Sequence, residues 1–234
     1  MDAYQQLIDT IALTLGSAWG AGINLYATIG VLGLLGASGH IILPETLQVV
    51  QDPLVITAAC LMYAVEFFAD KTPGLDTGWD AIHSFIRIPA GVILAAGAVG
   101  DMSPALVIAA GILGGTISAT SHTIKAGSRV LINTSPEPFS NWAASVTEDV
   151  AVIGGIWTAL NYPLIFIILF ICFIILAIWV IPKIWIGIKG VINWLRRLLG
   201  KKDGFAPDTL DKTTPPTQPH FIQAPDQENT SKDN

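Results

Sequence analysis

Between Glu66 and Arg87 the chain reads EFFADKTPGLDTGWDAIHSFIR, placing four carboxylates, a lysine, a histidine and an arginine between two apolar segments. Ionisable groups at membrane depth are costly, so they face a protein interior or a water-filled path and become functional candidates. Glu66 and Asp70 are four residues apart and share a helix face. A helix beginning near Leu54 carries Glu66 about 18 Å along its axis, at 1.5 Å per residue, inside a hydrocarbon slab of about 30 Å. Such carboxylates could contact an ion, a proton or a head group; a snorkelling acid near one membrane face is the structural alternative. Lys71 follows at once, and Pro73-Gly74 predicts a turn. Asp76, Asp80, His83 and Arg87 recur at i, i+4, i+7 and i+11, which at 100° per residue spreads them over about 60° of a helix. Two acids and a histidine in one stripe could hold a hard divalent cation, although the spacing matches no standard zinc motif. The alternative is the solvated face of a surface helix with Asp/Arg pairing.

Two further groups carry charge into apolar surroundings. His122, Lys125 and Arg129 repeat at i, i+3 and i+7, a cationic stripe suited to phosphate or carboxylate and equally to positive-inside topology. His122 lies deepest in its segment and is the group expected to titrate near neutral pH. Glu148 and Asp149 are adjacent. Ser145-Val-Thr-Glu148 fits a capping box, which gives Glu148 a structural role and leaves Asp149 the more suggestive acid. All these residues are expected to converge on one polar, cytoplasm-facing cavity. No cofactor is legible.

The elements that must position them are membrane helices. Of 234 residues, 52% are hydrophobic and 13% charged, and mean hydropathy is +0.58; soluble domains carry about a quarter charged residues. Twenty-two glycines suit close helix packing in lipid. The net charge of −6, with one basic run near the C-terminus, excludes a nucleic-acid surface. Cys60 and Cys172 read as buried small hydrophobes, without a disulfide or zinc framework. The start, MDAYQQLID, has no basic n-region, so the first apolar stretch reads as a retained signal anchor.

That stretch runs from Leu7 to Leu35, interrupted around Gly16 to Asn24, as one long tilted helix or one broken at its glycines. Further spans are expected over about Leu54–Asp70, Ile86–Val99 with Pro89 in its first turn, Ala105–Lys125, Trp142–Leu160 and Pro163–Ile181. The polar loop after Leu35 carries His40, Glu45 and Asp52. Gly111 and Gly115 make a GxxxG pair. The last span is apolar on every side and reads as lipid-facing. From Pro182 a separate amphipathic segment places Trp185 and Trp194 among cations at the head groups. The fold class is therefore all-α, a polytopic membrane protein of about six transmembrane helices, some short or broken. Leu54-Val-Ile-Thr-Ala-Ala and Leu106-Val-Ile-Ala-Ala-Gly, with Ser17-Ala-Trp19 and Ser140-Asn-Trp142, outline a candidate inverted repeat. The expected division is a core at 1–161, an anchor plus interfacial helix at 162–202, and a disordered cytoplasmic tail at 203–234. Six spans put all twelve lysines and arginines on one side, making that side cytoplasmic with both termini in the cytosol.

Glu66-Phe-Phe-Ala-Asp70-Lys71-Thr-Pro73-Gly-Leu-Asp76, Pro89-Ala-Gly91, His122-Thr-Ile-Lys125 with Arg129, and Ser145-Val-Thr-Glu148-Asp149 occur in an order that resembles a bacterial membrane family, domain of unknown function 4126. The resemblance covers Gly16 to Leu160 and leaves the last span and tail outside. Thr72 and Glu137 depart from the family pattern. The resemblance implies a bacterial inner membrane and a shared pattern of Glu66, Asp70, Lys71, Asp76, His122, Lys125, Arg129, Glu148 and Asp149, but no activity. The expected function is transporter- or channel-like, handling a small ion or anionic head group. The alternatives are a membrane-embedded metal-dependent enzyme acting on a phosphorylated lipid, and a non-catalytic scaffold. Expected partners are the bilayer, small ions or anionic lipid head groups, and a second copy of the chain.

Overall fold

Prolines open four of the helices, at the position where a missing N–H costs nothing. The computed structural model describes residues 3–72, 75–134 and 138–198. It contains α1 (Ala3–Ile23), α2 (Leu25–Ala37), a 3-10 helix (Glu45–Gln51), α3 (Pro53–Ala69), α4 (Leu75–Ala98), α5 (Pro104–Ile132), α6 (Pro138–Asn161) and α7 (Pro163–Leu198). No strand occurs among the described residues. The turn expected at Pro73-Gly74, the side chain of Asp76 and the tail expected to be disordered from 203 lie outside them.

Four helices are long and apolar enough to cross a membrane: Thr77–Ala98, Pro104–Ile132, Phe139–Asn161 and Pro163–Arg197. A fifth span exists if the 3-10 helix and α3, bent by 63° at Asp52, count as one. Among the described residues, four or five of the six expected spans therefore meet this criterion. The difference lies at the N-terminus, where α1 carries Gln5, Gln6, Asp9, Thr10 and Thr14 and α2 has only 13 residues.

The first apolar stretch is broken at Asn24, not at its glycines. Asn24 leaves the helical conformation (φ −143°, ψ 98°) and its Oδ1 accepts from the Ala27 N–H at 2.9 Å, capping α2. The expected polar loop contains the 3-10 helix, whose Leu47 and Val50 are buried. Thr46 there donates to the Gly97 carbonyl of α4 at 2.5 Å. Pro89 sits well inside α4, because that helix starts near Leu75 and includes the polar stripe assigned to a separate segment. Ser145 lies inside α6, so the capping box is not a helix start. The amphipathic segment from Pro182 continues α7 without interruption. Lys183 lies 2.9 Å over the Trp179 ring, and Lys189 is 5.3 Å from that of Trp185.

α7 is mostly exposed, as its all-round apolarity requires, but buries Phe166, Phe170 and Ala177. Cys60 and Cys172 are free and exposed on the apolar α3 and α7, correcting their expected burial. α4 and α5 form the longest helix interface, and its closest point is not the expected Gly111/Gly115 pair. A Cβ on Gly114 would collide with the Gly91 carbonyl and with Ala95, whereas Gly111 and Gly115 meet only Val92 and Ala96. A Gly114→Ala change should thus lower the thermal midpoint in detergent, the overpacking costing about 1–3 kcal/mol. Gly154→Ala, which meets nothing within 4 Å, should raise it, by about 0.5–1 kcal/mol of helix propensity.

Candidate functional site: a buried carboxylate–cation cluster

α4 shows how the site is made. Its apolar Ile82, Phe85 and Ile86 point outward, while Asp80, His83 and Arg87 are buried, Arg87 to 0% exposure. This is inside-out amphipathicity, favourable only where lipid replaces water outside and charges find partners inside. The surface-helix alternative for this stripe fails on that burial. Arg87 lies about 18 Å from the start of α4 at 1.5 Å per residue, near mid-span.

α3 contributes Glu66 and Asp70 at its end, and α5 supplies His122, Lys125 and Arg129. α6 supplies Glu148 and Asp149. Lys125 is the hub, 3% exposed, with Nζ 2.8 Å from Asp70 Oδ2, 3.1 Å from Glu66 Oε1 and 3.7 Å from both Asp80 Oδ1 and Glu148 Oε2. Arg87 donates from Nη2 to Glu66 Oε1 and from Nη1 to Asp80 Oδ1 at 2.9 Å. Arg129 donates from Nη2 to Glu148 Oε2 at 2.7 Å and from Nη1 to the Asn141 side-chain oxygen at 2.8 Å.

The two buried histidines have fixed tautomers. A guanidinium only donates, so His122 Nδ1 accepts from Arg87 Nη1 at 3.2 Å. Nε2–H then donates to Ser84 Oγ at 2.6 Å, and Ser84 passes its own proton to the Asp80 carbonyl at 3.0 Å. An N–H at Nδ1 of His122 would face the Arg87 guanidinium. His83 donates from Nδ1 to the Trp79 carbonyl at 2.9 Å and accepts at Nε2 from Tyr26, 3.1 Å away. His83 therefore spends both ring nitrogens on Tyr26 and the Trp79 carbonyl and neither on Asp80. No group of three metal-ligating residues is arranged for an ion among the described residues.

Lys71 stands at the edge. Its Nζ donates to Ser145 Oγ and to the Phe67 carbonyl, both at 3.2 Å, and lies 2.8 Å over the Phe67 ring. Burial pushes the Lys71 ammonium down from its ordinary value, against the pull of Asp149 and Asp70. Asp149 accepts at Oδ1 from Asn24 Nδ2 at 3.0 Å. Asn24, Tyr26, Ser84, Asn141 and Ser145 escape a reading by charge, since neutral polar residues in apolar runs are common. The helix break around Asn24 points to the first of them, and the Ser145-Val-Thr-Glu148 motif to the last. Glu66 Oε2, Asp70 Oδ1, Asp80 Oδ2 and Asp149 Oδ2 are buried without a hydrogen-bond partner.

Neither of the two cavities described adjoins a charged side chain. One, of about 920 Å³, is an open apolar groove beside Val92, Ile108 and Ile112; the other, of about 320 Å³, lies among Trp19, Gly155 and Phe170.

Long apolar helices around a buried charge cluster define a polytopic helical membrane protein. The profile of the family described as Domain of unknown function (DUF4126) matches residues 11–183, and the chain belongs to that family. The match runs past Leu160 into α7, so the last span, expected to fall outside, is part of the shared region. No curated protein and no solved structure matches the chain.

Removing one member of a buried ion pair costs about 3–5 kcal/mol, because its partner keeps an uncompensated charge. Lys125→Met should destabilise the protein by that amount in reversible unfolding in detergent. Adding Glu66→Gln should recover part of the loss, giving a non-additive double-mutant cycle.

Proposed function

We propose that this chain is a transporter- or channel-like membrane protein that handles a small cation or a proton at the buried carboxylates. One observation carries the reading: Glu66, Asp70 and Asp80 each spend one oxygen on Lys125 or an arginine and bury the other without a partner. A carboxylate oxygen bare of donors at this depth is costly, and a cation or proton relieves that cost. An anionic head group fits less well, because the terminal nitrogens of Arg87 and Arg129 and the ammonium of Lys125 are already committed to acids or, for Arg129 Nη1, to Asn141. The metal-dependent enzyme alternative has less support, because both His83 ring nitrogens are already hydrogen-bonded to Tyr26 and the Trp79 carbonyl.

A second reading, the scaffold, is favoured by eight carboxylate–cation approaches of 4.0 Å or less in the cluster. In it the charges fix helix register and nothing passes. The two readings part in proteoliposomes. Cation or proton flux should be present with the wild-type protein and fall about tenfold or more with Glu66→Gln and with Asp149→Asn. Unchanged flux in both folded variants would remove the transport reading and leave the scaffold.

The orientation belongs to the same proposal, on narrower grounds than a count of twelve. Arg87, Lys125 and Arg129 are buried in the acid cluster, and Lys71 of the turn after α3 is buried at its edge, so none of the four counts as a free loop charge. The remaining eight, from Lys183 onward, support an orientation with the C-terminal end of α7 on the cytoplasmic side of a bacterial inner membrane. With Cys60 and Cys172 changed to serine, Lys189→Cys should react with a membrane-impermeant thiol reagent only from the cytoplasmic side. Labelling from the outside would reverse the orientation.

A further inference from the structure

Asp149 stands apart from the network it adjoins. Glu66, Asp70, Asp80 and Glu148 each have a lysine or arginine nitrogen within 4.0 Å, whereas Asp149 has none among the described residues. It is only 6% exposed, with Oδ1 held by the neutral Asn24 amide and Oδ2 bare. The residue facing it is the one at which the first apolar stretch breaks. Asn24 uses its oxygen to cap α2 and its nitrogen to reach α6, so the charge on Asp149 acts directly on the α1–α2 junction. The titratable groups around it are Tyr63 and Asp70 of α3, Lys71 of the following turn, Lys125 of α5 and the neighbouring Glu148.

We propose that Asp149 exchanges a proton with water, and that Asn24 transmits its charge state to the helix break. The proton adds to Oδ2, converting the carboxylate to the neutral acid and raising the charge of the cluster by one. The Oδ1 bond to Asn24 survives, but changes from a charge-assisted hydrogen bond to a weaker neutral one, loosening the tie between α2 and α6. The inference gives the cation- or proton-handling reading its titrating group, yet the protonation stands without any transport.

The test is infrared difference spectroscopy between acid and alkaline pH on the full chain in lipid nanodiscs. Among the protonated-carboxyl C=O bands that vanish as pH rises, one component of the wild-type spectrum should be missing from that of Asp149→Asn. Asn24→Ala keeps the carboxyl but removes the donor that favours its ionised form, so the band should vanish at a higher pH. A titrating C=O spectrum in Asp149→Asn that is unchanged from the wild type overturns the assignment. If that variant does not fold, an unmoved midpoint in Asn24→Ala overturns it instead. A titrating Asp149 band in a protein that moves no cation would uphold this inference and sink the transport reading.

Discussion

The ammonium of Lys125, held within 4.0 Å of four carboxylates from three other helices, is the interaction on which the rest of the interior depends. Glu66 and Asp70 of α3, Asp80 of α4 and Glu148 of α6 repel one another at this separation unless a cation lies among them. In a low-dielectric interior both the repulsion and its relief are larger than in water. Arg87 and Arg129 flank the lysine and complete the neutralisation, so α3, α4, α5 and α6 cannot shift relative to one another without exposing a charge. Hydrophobic packing between helices gains little in lipid, where the tails are as apolar as leucine. The charges therefore supply register that apolar contacts cannot.

Small residues let that register be reached. The Gly91–Gly114 contact brings α4 against α5 closely enough for Ser118 Oγ to donate to the Arg87 carbonyl at 2.9 Å and for Arg87 to reach His122. Gly22, against Ser118 and Ser121, does the same for the end of α1. Close backbone approach and buried charge are thus one device: glycine removes the side chains that would hold the helices apart, and the ion pairs occupy the centre they enclose. Among the described acids of the cluster only Asp149 is left to a neutral partner, at the place where the backbone leaves the helix.

Much of the candidate site is legible before folding is considered. The i, i+3, i+7 repetition of Asp80, His83 and Arg87 correctly puts them on one face, because a helix has a fixed angle per residue. Periodicity cannot say what that face meets, so buried centre and solvated surface stay equally open until α3 and α5 are seen to cover it. The same limit explains His83, which shares the face but bonds Tyr26, and the Ser145–Glu148 pair, whose capping pattern is a local coincidence inside α6. The N-terminal region is misjudged for a different reason. Apolar content alone does not separate a full span from a broken one, and the break depends on one asparagine capping Ala27.

What the sequence determined by itself is the environment and the family. Apolar length and scarcity of charge require a membrane, and the ordered motifs around Glu66, His122 and Glu148 identify the group to which the chain belongs. These are sums and local patterns, which survive without knowledge of contacts. The tertiary structure alone decided the pairing: which carboxylate meets which cation, that Lys125 sits at the centre, and that Asp149 meets an amide and no cation. Pairing is decided in space because residues 59 and 55 positions apart, Lys125 with Glu66 and with Asp70, become neighbours only when the helices dock.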